Sequence, residues 1–183
     1  ALNVSTEVLD GFSIVEDSLN RTTANSSAEN NAIYSDFADQ MKQNPTKVRE
    51  WFEKAKQVKD MSDALYNFAQ ELKVAIVQEA DGKNGDVSNI KNKENLEAAG
   101  IVMLAPGSGK GKKLYTELNR YRDRILQLVT DEHQKKIIAS NFSTQVPKGE
   151  KYLGKNWQEY MFENMPVAAA VTMLSKIQSD VRY

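Results

Sequence analysis

The residues that first invite a chemical reading are Pro106-Gly107-Ser108-Gly109-Lys110-Gly111, since glycines and a lysine ahead of a helix can cradle phosphates through backbone N–H groups. The spacing fails a phosphate loop at two places: Leu104 stands where the first glycine is required, and Gly111 follows Lys110 where a Ser or Thr would reach magnesium. What is left is an exposed loop whose Lys110, Lys112 and Lys113 are candidate contacts for a partner. Asp81-Gly82-Lys83-Asn84-Gly85-Asp86 resembles a calcium loop only in outline, because Lys83 occupies a ligand position and no Glu stands at the twelfth. His133 is the one histidine and there is no cysteine, which excludes His-rich and thiolate zinc sites and leaves a nucleophile triad without a second base. Glu159 and Glu163 share a helix face, as surface carboxylates often do. Trp157, Tyr160 and Phe162 form an aromatic group that reads first as core packing and second as a docking surface, so Trp157 and Tyr160 join the candidate partner contacts. The sequons at Asn3, Asn20, Asn25 and Asn141 are of the number expected by chance, and three fall in an expected helix. No constellation assigns a catalytic, cofactor-binding or metal-ligating residue, and the expectation is a protein that is not an enzyme and takes no cofactor.

The totals point the same way. A chain of 183 residues can bury a sizeable core, and 24 basic against 25 acidic residues give no charge excess to draw nucleic acid or an anionic membrane. No apolar run approaches the roughly 20 residues that span a bilayer. Ala1-Leu2-Asn3-Val4 enters a helical pattern with neither an initiating Met nor an N-cap, so residues 1–183 read as one helical domain excised from a larger protein.

The elements that would position these residues are helices. Asn164 to Tyr183 is the plainest: Asn164 as N-cap, Pro166 in the first turn, then Val167, Val171, Leu174, Ile177 and Val181 on one stripe with Lys176, Gln178 and Ser179 off it. Because Val167 to Val171 is apolar on every side, this helix is expected at the centre of the bundle. Residues 1–43 give a first helix, about 60 Å long at 1.5 Å per residue, with Leu2, Leu9, Phe12, Leu19, Ile33, Phe37 and Met41 roughly on one face; Gly11 and Thr22–Ser27 are its weak points. Asn44-Pro45 restarts the chain into a second helix to about Ala80, with Val48, Phe52, Ala55, Val58, Leu65, Leu72 and Ile76 inward and Trp51 and Phe68 widening the stripe. So short a connection predicts an antiparallel hairpin. Residues 81–113 read as a long connection holding a short helix over Asn92–Ala99 and, at Gly100–Leu104, a short strand or buried loop. A third helix is expected over Lys112–Ser140, a loop over 141–156, and a short aromatic helix over Trp157–Glu163. The fold class is all-α: an up-and-down bundle of about four main helices with long loops, the first two helices extended.

The chain also resembles the GldM/PorM family of gliding-motility and type IX secretion proteins. The resemblance is carried by Leu2-Asn3-Val4-Ser5, Ser62-Asp63-Ala64-Leu65-Tyr66-Asn67, Glu79-Ala80-Asp81-Gly82 and Met103-Leu104-Ala105-Pro106-Gly107, and most of all by Gly154-Lys155-Asn156-Trp157, Glu159 to Thr172 and Gln178-Ser179-Asp180-Val181-Arg182-Tyr183. It implies the first periplasmic domain of an inner-membrane protein with one N-terminal transmembrane helix, homodimeric at full length. It also implies a GldL/PorL-type membrane partner and, through later domains, outer-membrane secretion or gliding components. The role implied is to transmit force from a proton-driven motor complex.

Overall fold

The structure is a computed structural model and describes residues 5–183. The expected inward Leu2 and the Asn3 sequon lie outside the described residues, as does the side chain of Phe37.

Seven α-helices follow one another with no strand among the described residues: α1 (Thr6–Gln43), α2 (Pro45–Asp81), α3 (Ala98–Leu104), α4 (Lys110–Leu128), α5 (Glu132–Asn141), α6 (Trp157–Phe162) and α7 (Val167–Arg182). The all-α bundle is therefore as expected, with α1, α2, α4 and α7 its main members. α1 starts where Ser5 Oγ accepts from Val8 N at 3.2 Å and runs unbroken through Gly11 and Thr22–Ser27. Thr23 within that stretch turns its hydroxyl back onto Leu19 O at 2.8 Å, satisfying it inside the helix. Asn44 alone separates α1 from α2, and Pro45 stands at the first helical position, where the missing N–H costs nothing. Asn44 occupies the N-cap position without a side-chain cap bond.

Four features differ from the sequence expectation. The short helix lies over Ala98–Leu104 rather than Asn92–Ala99, and it takes in the stretch expected as a strand. A lone strand there would have left its backbone groups without a ladder, whereas a helix satisfies them and turns Ala98, Ala99, Val102 and Met103 inward. The expected third helix is two helices: α4 ends at Leu128, where Val129 turns extended, and Asp131 caps α5, its Oδ1 accepting from His133 N at 3.1 Å. Asn164 does not cap α7. It takes a left-handed conformation (φ 53°), and the first N–H groups of α7 are satisfied from outside: Val167 N donates to Asn95 O at 3.0 Å and Ala168 N to Lys93 O at 3.2 Å. The long connection thus clasps the start of the last helix. Finally, Gln178 and Ser179, placed off the apolar stripe, are buried.

α7 lies against both long helices, parallel to α1 and antiparallel to α2, as the pairings Phe12–Thr172, Glu16–Ser175, Lys73–Ser175 and Ser62–Val181 show. Its first turns are enclosed on all sides, with Val167 through Val171 buried. The main apolar cluster gathers Leu65, Leu72, Ile76 and Val77 of α2 with Leu114 and Leu118 of α4, Phe162 of α6 and Val167, Val171 and Leu174 of α7. α1 and α2 outrun this core. Ile33 and Trp51, both expected inward, are 54% and 58% exposed, because beyond the end of α7 each long helix has little but the other to bury against.

Candidate functional site

The candidate contacts named from sequence are distributed rather than convergent. Lys110, Lys112 and Lys113 are exposed on the first turn of α4, and Lys113 Nζ lies 4.4 Å over the Phe68 ring. The glycines around them have a packing role. Gly109 turns the chain into α4 with φ 64°, and a Cβ on Gly111 would lie 2.6 Å from Met103 O and 3.0 Å from Gln158 Cβ, so only glycine lets α4 approach α3 and α6 so closely. Trp157 is buried, 6.1 Å from the Tyr115 ring and edge-on to Phe162 at 6.2 Å, in accord with the core-packing reading. Tyr160 is half-buried, edge-on to Tyr152 at 5.1 Å.

The carboxylates considered for chemistry hold backbone or pair with a lysine instead. Asp81 accepts from Lys91 N at 2.8 Å and Asn92 N at 2.9 Å and so shapes the connection after α2. Glu159 completes a capping box with Asn156 at the start of α6. Glu163 pairs with Lys155 at 3.8 Å.

The side chains that the fold does bring together are two polar clusters on α7. The first sits midway along the helix. Lys73, 2% exposed, donates from Nζ to Ser175 Oγ at 2.6 Å and to Gln178 Oε1 at 2.9 Å, and lies 3.3 Å from Glu16 Oε1. Ser175 Oγ donates in turn to Glu16 Oε1 at 2.6 Å, and Gln178 Nε2 to Tyr66 O and Gln70 Oε1. Three helices thus meet at one charge pair. Burial pushes the Lys73 ammonium below its ordinary range while Glu16 pulls it back up, and the net direction is down. Glu16 Oε2 has no protein partner, so the cluster is not fully satisfied.

The second cluster closes the C-terminal end of α7, where a helix leaves carbonyls without intrahelical donors. Ser62 Oγ donates to Val181 O at 2.8 Å, Tyr121 Oη to the same carbonyl at 3.4 Å, and Asn30 Nδ2 to Arg182 O at 2.6 Å. Arg182 answers from the other side: its Nη1 pairs with Asp63 Oδ1 at 2.5 Å, and the guanidinium stacks 4.4 Å over Tyr66. Burial works to raise the Asp63 carboxyl, but hydrogen bonds and charge from Lys59 and Arg182 outweigh it and hold it below the usual range. Tyr121 is pushed up to about 12, mainly by burial. A cleft of ≈ 310 Å³ opens beside this cluster between Tyr34, Asp63, Tyr121, Ile138 and Arg182. The end of α7 is therefore held by α1, α2 and α4 together.

Sequence reading missed Glu16, Lys73, Ser175 and Gln178 because inward positions were sought by apolarity alone. The available signal was register: Glu16 lies seven residues after Leu9 and four after Phe12, and Gln178 lies between Leu174 and Val181 on the same stripe. Ser175 has Lys73 and Glu16 beside its hydroxyl, but all three are buried between helices and the hydroxyl is not presented to a substrate; among the described residues no group of three or more His, Cys, Asp or Glu could hold a metal ion. What the arrangement does chemically is fix helices to one another.

Among the described residues no helix is long and apolar enough to cross a membrane. No curated protein matches the chain. The family model described as the GldM N-terminal domain matches residues 7–183, nearly the whole of what the structure describes. The chain belongs to the GldM N-terminal domain family.

Proposed function

We propose that this chain is a non-enzymatic, force-transmitting domain of a type IX secretion and gliding motor, working in the periplasm as the first domain of a dimeric inner-membrane protein. In this reading a GldL/PorL-type partner drives the membrane helix ahead of α1, and later domains pass the motion to outer-membrane components. The observation that carries it is the clasp at the end of α7: Asn30 of α1, Ser62 and Asp63 of α2 and Tyr121 of α4 all bind the last turn through side chains. A displacement of either long helix is delivered to that turn, since packed side chains with fixed hydrogen bonds do not deform continuously. Family membership supports the setting.

The test is secretion in cells producing the full-length protein with Arg182→Ala. The expected result is lost or strongly reduced secretion with normal protein level and normal capture of the membrane partner. Normal secretion in that strain would overturn the reading.

A passive docking module is the second reading, and one observation favours it: an apolar hollow on the hairpin lined by Ile33, Tyr34, Trp51, Ala55, Val58 and Leu128. Its test is Trp51→Ala, which removes partner capture if docking is the role. Deleting the 83–111 connection is not a clean alternative, because that segment supplies Ala98, Ala99, Val102 and Met103 to the core and the carbonyls that cap α7.

A further inference from the structure

α1 is attached differently from every other main helix. Among the described residues none of its side chains belongs to the main apolar cluster, and Leu9 is its one buried apolar residue. It is joined to α7 by side-chain hydrogen bonds along its length. Thr172 Oγ1 donates to Phe12 O at 3.3 Å, Ser175 Oγ to Glu16 Oε1 at 2.6 Å, and Asn30 Nδ2 to Arg182 O at 2.6 Å.

The inward positions of α1 also repeat. Leu9, Glu16, Thr23 and Asn30 are spaced by seven, with Phe12, Leu19 and Ser26 between them at three and four. Such a seam has few features that distinguish one axial position from the next, because apolar and small side chains pack almost equally well after a slip of one or two turns. Two residues are exceptions: Asn30, whose bond to the Arg182 carbonyl Thr23 could replace after a slip of seven residues, and Glu16, which no other inward residue of α1 could replace. Glu16 is 8% exposed and, among the described residues, meets a cation only at Lys73 of α2. Sliding α1 by seven residues in one direction would set Leu9 against Lys73, and in the other Thr23. Either way a buried ammonium and a buried carboxylate would be parted, which is strongly unfavourable.

We propose that Glu16, Lys73 and Ser175 form a register key that holds α1 in one axial position on the α2/α7 face, and that without it α1 takes more than one axial position there, the turns of α1 and α2 beside Asn44 unwinding or rewinding to allow the shift while the α2/α4/α7 core persists. The inference stands apart from the force-transmission reading, since a docking module can equally be keyed. It fits the incomplete satisfaction of the cluster: Glu16 Oε2 is buried without a hydrogen-bond partner, which costs stability, so stability alone does not explain a charged pair at this place. It also assigns the buried pair to specificity, the best-attested use of such groups.

The native chain has no cysteine, so spin labels can be placed without background at Ser18→Cys on α1 and Lys176→Cys on α7, both exposed. Double electron–electron resonance on the full chain is expected to give one narrow distance. In Glu16→Leu/Lys73→Leu the melting temperature is expected to fall by no more than a few degrees, while the distance splits into at least two populations separated by a helical turn, about 5.4 Å, or more. In the exchanged pair, Glu16→Lys/Lys73→Glu, the single distance returns. A single unchanged distance in the Leu/Leu variant overturns the proposal. So does its failure to fold, which would make the pair a support of the whole fold. Where that variant folds but labels poorly, Glu16→Gln serves: it keeps size and hydrogen bonding, is expected to broaden or split the distance, and an unchanged distance again overturns the key.

Discussion

The two ends of the α1/α2 hairpin are built from the same helices and are held in different ways. From Ser62 to Val77, α2 turns a buried residue inward at nearly every step, including Leu65, Ala69, Leu72, Lys73, Ile76 and Val77. From Ala24 to Met61, across the rest of α1 and the start of α2, no described residue is buried. The sequence is amphipathic in both halves, so the difference is one of supply: α3, α4, α6 and α7 gather around one half and largely leave the other. Burying a large apolar side chain fully stabilises by about 1.5–3 kcal/mol, and the projecting half forgoes most of that. An amphipathic stripe therefore specifies a helix without specifying what covers it. The covered half holds position through packing, and the projecting half is an arm.

The largest effect is expected where a charge is buried in the covered half. Lys73→Ala leaves Glu16 desolvated without its cation and is expected to lower stability by about 3–5 kcal/mol, read as a shift in the midpoint of urea unfolding. Next comes a cavity. Leu174 is fully buried, and Leu174→Ala is expected to cost about 3 kcal/mol in the same measurement. If either change cost no more than a surface substitution, the covered half would not be the stable unit that the packing implies.

Much of this contrast was legible in the sequence and some was not. The enclosed start of α7 follows from Val167 to Val171 being apolar on every side, and the hairpin from Asn44-Pro45. The break at Asp131 was also written there, since an Asp after Val129 and Thr130 is a better cap than a helix interior residue; the apolar spacing from Leu114 to Ile138 hides it by continuing across the break. Asn164 had the right residue type for a cap, but the caps came from the carbonyls of Lys93 and Asn95, some 70 residues earlier, and no local pattern reports a long-range bond. Trp51 and Ile33 were on the right stripe of their helices. Their exposure depends on where α7 ends relative to α1 and α2, a tertiary fact. The clusters on α7 were least visible, because Lys73, Glu16 and Gln178 look like surface residues until the opposing helices are in place.

A smaller effect is expected at the junction between the two halves. The Asp63 carboxyl is held below the usual range, so its ionised form stabilises the fold. The sign follows directly: that contribution is present in full above the unfolded value near 4 and is lost as pH falls through the lowered folded value. Asp63→Asn is expected to reduce stability at pH 7 by about 1 kcal/mol, consistent with a partly exposed charge-assisted pair. It should also make the loss of stability below pH 4 shallower. Equal acid limbs in the two proteins would show that Arg182 is held by Tyr66 and Ser62 rather than by this charge.

The smallest effect is expected on the arm, and it is the sharpest test of the contrast. Trp51 is among the largest side chains in the chain, and by composition alone Trp51→Ala would rank with the core cavities. It is 58% exposed, however, and its nearest cation, Lys54 at 4.8 Å, is already paired with Glu50. Truncation therefore removes little buried area and leaves no orphaned charge, and the expected change in stability is within about 0.5 kcal/mol. A loss of 3 kcal/mol or more at 1 µM protein would mean that the arm is covered in solution by something other than its own chain. An unfolding midpoint that rose with protein concentration in the native chain, and did not in Trp51→Ala, would identify that cover as a second copy.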